Sequence, residues 1–198
     1  MERNKLLTIA LAVSNIFRVL IIVFITLFTF GIIHYQFNPD LYSKVELSGY
    51  NFRTAANLST SFYTSAFEFT SAIGTKPASR GPIYVQDASN LSLIIFYLQH
   101  VIILAIWVLM LQQIARLIQS VKVLQTFRQN NSNVFRKIGR YCLLIFIMTG
   151  FRWMETENAS YFGIYINYLP LMFMLGAFIL AEIFDEGNKL YEAEQLTI

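Results

Sequence analysis

The sequence predicts an all-α membrane protein, a four-transmembrane-helix bundle with a small extracytoplasmic cap between helices 1 and 2. Three observations predict it. Hydrophobic residues make up 56% of the 198-residue chain and charged residues only 14%, where a soluble domain normally carries about 25% charged residues. Several apolar runs approach or exceed the roughly 20 residues that a helix needs to cross a bilayer. The lysines and arginines gather in a few flanking segments and leave the apolar runs nearly clear of charge.

The chain opens with MERNKLL, which has the basic character of a signal-peptide start. The apolar run behind it continues to Ile33 without a small-x-small cleavage site, so it is expected to stay as an anchor. Residues 1–18 form a cytosolic or interfacial segment and residues 19–37 the first span. Arg18 admits two placements. A span beginning at Leu6 would hold Arg18 near mid-bilayer at a cost of about 2.5 kcal/mol or more, capped by Ser14 and Asn15. A span beginning at Val19 leaves it among the headgroups.

Residues 38–90 are the cap. KVELSGYNF and GPIYVQD alternate as strands do, NFRTAANLSTSFYTSAFEF fits strand or helix, and Gly74, Pro77, Gly81 and Pro82 mark turns. A β-hairpin is one form the cap can take. It holds no metal, nucleophile or phosphate pattern, and the two NLS sequons at Asn57 and Asn90 are read as chance.

Residues 91–114 form the second span, and the helix continues past Arg116 to about Phe127. The Asn-rich RQNNSN then breaks it and supplies capping residues for a new helix. Residues 115–140 are thus a basic cytosolic helical hairpin. The third span and a short outer turn occupy 141–160. The apolar stretch there is short, and Arg136, Lys137 and Arg140 would snorkel to lengthen it. The fourth span covers 161–184, and 185–198 is an acidic cytosolic tail.

Orientation follows from the basic flanks. Arg116, Lys122, Arg128, Arg136, Lys137 and Arg140 crowd the second connection with no acid among them, while METENAS carries Glu155 and Glu157 and no base. Both termini and the hairpin are therefore expected in the cytosol, with the chain a multi-pass membrane protein.

Two groups of residues invite function. His100, Arg152 and Asn167 fall at similar depth from the outer ends of the spans and could form an intramembrane polar cluster. Such groups serve either as a small-molecule or ion pocket or as interhelical hydrogen bonds worth about 0.6–2 kcal/mol each. The second group is a cytosolic platform. The basic hairpin (Arg128, Arg136, Lys137, Arg140) faces an acidic end (Glu182, Asp185, Glu186) that closes on Leu196 and Thr197. The end is expected to fold back on the hairpin; the alternatives are a solvated tail and a hairpin that attracts anionic lipid at about 1 kcal/mol per base.

LQTFRQNNSNVFRKIGRYCLL resembles the loop of the bacterial DUF2975 family of four-span membrane proteins, through Phe127, Asn131, Phe135, Arg136, Ile138 and Gly139; the family's Gly-Pro is replaced by Gln125 and Thr126. AEIFDEGNKLYEAEQLTI is similar to its closing segment through Ala181, Phe184, Gly187, Leu190, Leu196, Thr197 and Ile198. The family lacks an assigned activity. Its members often sit beside small helix-turn-helix regulators, so the resemblance implies a membrane partner of such a protein.

No catalytic constellation is legible, and Cys142 is the single cysteine, with no neighbour to complete a metal site. A net charge of +3 gives no ground for direct nucleic-acid binding. The expectation is a non-enzymatic protein without cofactor that meets the lipid bilayer, a cytosolic helix-turn-helix regulator and, as a further option, copies of itself. The alternative is a small transporter or channel working through His100, Arg152 and Asn167.

Overall fold

The structure, a computed structural model, describes residues 2–45, 57–60, 66–74, 84–122, 129–156 and 159–195. The described chain is mostly helical: α1 (Glu2–Phe37), α2 (Asn90–Lys122), α3 (Gln129–Thr149) and α4 (Tyr168–Gln195). Of these, α1, α2 and α4 are long and apolar enough to cross a membrane. At about 1.5 Å per residue the 36 residues of α1 reach about 54 Å, well beyond a hydrocarbon core of about 30 Å. Residues 6–18 are therefore helix continuous with the apolar run, and Arg18 is half-buried within it.

The all-α expectation needs correction. Four strands, β1 (Asn57–Thr60), β2 (Ala66–Gly74), β3 (Phe151–Glu155) and β4 (Ala159–Asn167), form one antiparallel sheet in the order β1-β2-β4-β3. Only β1 and β2 come from the cap. The other two come from residues assigned to the third span with its short outer turn and to the fourth span, so the helix of the third span stops at Thr149, and the one expected from 161 starts at Tyr168. The cause is local. FRWME and SYFGIYIN place aromatic and β-branched residues with period two, which fits a pleated strand better than a helix. Gly150 makes the switch. Its N–H donates to Ile147 O (3.1 Å) and its carbonyl accepts from Tyr165 N–H (2.7 Å), and a Cβ there would stand 3.1 Å from Phe146 O. The strand-like KVELSGYNF lies almost entirely outside the described residues; in GPIYVQD, Val85–Asp87 form a 3-10 turn.

The chain divides into two compact units. A hairpin unit comprises Met1–Phe24, Leu104–Ile145 and Leu169–Ile198. Its core is Met110 and Ala115 of α2, Val134, Cys142 and Ile145 of α3, and Ala177 and Ala181 of α4. Small residues let helix backbones come close where no hydrophobic force drives them together. Ser14 of α1 uses this to donate to Leu111 O at 3.3 Å. Asn131 donates to Ser120 Oγ at 2.8 Å and ties the first turn of α3 to the last turns of α2.

The sheet unit comprises Ile25–Ile103 and Phe146–Tyr168, with a core of Tyr35, Val85, Ala88, Leu93 and Met154. Here α1 meets α2 through Phe28 against Phe96 (6.2 Å between centroids) and through the hydroxyls of Thr29 and Tyr97 at 2.9 Å. Ser89 precedes α2 and caps it, its Oγ accepting from Ser92 N–H at 3.2 Å.

Candidate functional site

The platform residues lie in the hairpin unit. Arg136 of α3 reaches across to α4, its guanidinium 3.1 Å from Glu182 and 3.8 Å from Asp185. Lys189 continues the chain of charge, 3.6 Å from Asp185 and 2.7 Å from Glu186. Phe135 and Phe184 pack against each other one residue away on the two helices, with ring centroids 5.0 Å apart. Basic hairpin and acidic end are thus neighbours, but not by a folded-back tail: α4 simply runs on as helix to Gln195 and carries its acids past α3. Lys137 and Arg140 are exposed and make no ion pair among the described residues. Arg128, Leu196 and Thr197 lie outside the described residues.

Arg136 and Glu182 are 39% and 68% exposed, so their pair adds at most about 1 kcal/mol. The closer fit is steric. A Cβ on Gly139 would stand 2.9 Å from the ring of Phe178, so glycine is what lets that ring of α4 pack against the α3 backbone.

The same unit holds a cavity of about 460 Å³, within the range of about 300–1,000 Å³ usual for small-molecule sites. Its floor is α3, with Ile138 and Cys142, and its walls are α2, with Trp107 and Met110, and α4, with Phe173 and Ala177. The lining is apolar throughout. Cys142 Sγ lies 3.9 Å from Met110 Sδ, a weak thiol–thioether contact. Such a cleft can hold hydrocarbon and offers no acid or base to a reaction. Sequence reasoning missed it, because its lining comes from three separated segments.

The residues of the expected polar cluster belong to the sheet unit and to three elements. His100 of α2 donates from Nδ1 to Phe96 O at 2.8 Å, and its ring packs on Phe96 and Phe28. Arg152 sits on β3 rather than on a span helix, with its guanidinium 4.3 Å from the centre of the Tyr165 ring. Asn167 ends β4 opposite Ala66. Arg152 and Asn167 thus stand on strands rather than on the span helices, and a strand advances about 3.3 Å per residue against about 1.5 Å for a helix.

A different set of polar side chains organises this unit. The buried Gln99 amide donates to two carbonyls, Met148 O at the end of α3 and Phe151 O at the start of β3. Ser92 Oγ accepts from Glu155 N–H at 2.8 Å, and Glu155 O accepts from Ser89 N–H at 2.8 Å. A lone Gln amid LIIFYLQHVIIL was the available signal for this role. No family model, curated protein or solved structure matches the chain.

Proposed function

We propose that this is a non-enzymatic protein of the bacterial inner membrane, crossing four times with both ends in the cytosol, whose hairpin end presents a platform to a small cytosolic protein of the helix-turn-helix regulator kind. The observation that carries the proposal is the Arg136–Glu182–Asp185 contact. It joins α3 to the polar extension of α4, and beside it Lys137 and Arg140 stay exposed on α3, free of carboxylates among the described residues. A surface with unspent positive charge suits an acidic protein face. The resemblance to the DUF2975 family adds the kind of partner. The apolar second half of α3, residues 141–149, serves as the third crossing together with the strands that follow it.

The transporter alternative draws on His100, Arg152 and Asn167: the Arg152 charge is near enough to act on the His100 ring, while His100 also meets a helix carbonyl, Arg152 an aromatic ring and Asn167 a sheet ladder.

The test is photocrosslinking in native membranes from position 137. Adducts with a small DNA-binding protein are expected, and they should disappear from the neighbouring position 133 when Lys137→Glu and Arg140→Glu are combined. Adducts with lipid alone would defeat the proposal.

A further inference from the structure

The sheet unit carries an apolar surface that its own described residues leave bare. Along β4, Phe162, Ile164 and Ile166 are 42, 44 and 41% exposed, while Gly163 between them is buried and Tyr165 half-buried. On β3, Phe151 stands opposite Ile164 and Trp153 opposite Phe162. Residues directly paired across antiparallel strands share a face, so these five side chains form one surface of three aromatics and two isoleucines. Phe151 is 39% exposed and Trp153 half-exposed. The reverse face is the packed one, where Met154 is fully buried and Arg152 covers Tyr165.

The level of this surface along α2 is fixed by hydrogen bonds. Gln99 holds Phe151 O at 2.8 Å, and Ser92 holds Glu155 N–H at 2.8 Å. From Ser92 to Gln99 the helix rises about 10 Å, and from Phe151 to Glu155 a strand extends about 13 Å, so β3 runs beside the first turns of α2. Those turns belong to a helix apolar enough to cross the membrane, and they expose Leu91, Ile94 and Leu98. The sheet face therefore lies level with the exposed apolar side chains of the first turns of α2.

Two further features agree. The polarity along the strands is graded, with Ile166 and the Phe151–Ile164 pair toward the helix ends and the Glu155–Ser160 pair beside the α2 cap. Hydrocarbon also tolerates a sheet only where its edge groups are satisfied. The edge of β3 facing α2 is met by Gln99, Ser92 and the Ser89 N–H.

We propose that Phe151, Trp153, Phe162, Ile164 and Ile166 form a lipid-contacting face, set in the acyl-chain margin just beneath the headgroups at the sheet end of the helices. Aromatic side chains favour that level. The sheet then serves as bilayer-facing wall where α3 stops short, and its occupant is the phospholipid acyl chain.

The chain has two tryptophans, so Trp107→Phe leaves Trp153 as the reporter. In phosphatidylcholine–phosphatidylglycerol vesicles, lipids brominated near the top of the acyl chain should remove most of the Trp153 emission. Lipids brominated near the chain end should remove less, and neither effect should depend on the protein-to-lipid ratio. Absence of quenching would overturn the proposal, since water or another segment of the chain would then cover the face. Quenching that fades as the protein is crowded would overturn it in favour of a second copy. A spin label at Ile164→Cys in a Cys142→Ala background gives an independent reading. Collisions with oxygen should exceed those with a water-soluble nickel chelate, and the reverse order refutes lipid contact.

Discussion

Gly139 shows how much one hydrogen atom can decide. With a Cβ only 2.9 Å from the Phe178 ring, Gly139→Ala should cost about 1 kcal/mol and Gly139→Leu up to about 3 kcal/mol, in the range of overpacked sites. Thermal unfolding in nanodiscs reads this, and an unchanged midpoint for the leucine variant would show that the Phe178 ring does not press on α3. Gln99 works by hydrogen bonds instead. Gln99→Leu keeps much of the volume but orphans the carbonyls of Met148 and Phe151. An unsatisfied buried carbonyl costs about 1–3 kcal/mol in water-soluble proteins, and measured interhelical bonds in membranes average nearer 0.6 kcal/mol. The expected loss is therefore about 1 kcal/mol, with faster amide exchange in β3 as its local signature. Exchange unchanged at Phe151 and Trp153 would count against the clamp.

Among the elements, α3 and α4 are joined by charge that is easy to overvalue. A double-mutant cycle on Arg136→Ala and Glu182→Ala should give a coupling of no more than about 1 kcal/mol, shrinking in salt, because both groups are well exposed. A larger value would mean the pair is desolvated in the bilayer interface. The helices themselves were legible in the sequence: α1, α2 and α4 stand where long apolar runs stand, but the Asn-rich stretch read as a break is, from Gln129 on, the first turn of α3. The strands β3 and β4 were not. Hydropathy averages Phe151, Trp153, Ile164 and Ile166 into the neighbouring runs and discards the alternation that separates a strand from a helix. Nor is it local that β4 pairs with β2, more than eighty residues earlier in the sequence. The platform was legible as opposite charges on two segments, since charge survives without knowledge of packing. The cavity was not, because apolar residues look alike until three helices bring them together.

For the whole molecule the testable quantity is threading. In a Cys142→Ala background, Lys137→Cys should react with an impermeant maleimide from the cytosolic side and Thr156→Cys from the opposite side. Labelling of both from one side would remove the third crossing. The helix α1 has the plainest consequence of all. Of its residues with described burial, only Ser14 and Tyr35 are buried, and exposed apolar side chains run from Leu6 to Phe37. A segment that asks so little of its neighbours can leave the translocon and settle in the bilayer while the ribosome is still making α2. Biogenesis can thus start from a stable single anchor, against which the later, more polar and strand-bearing parts assemble.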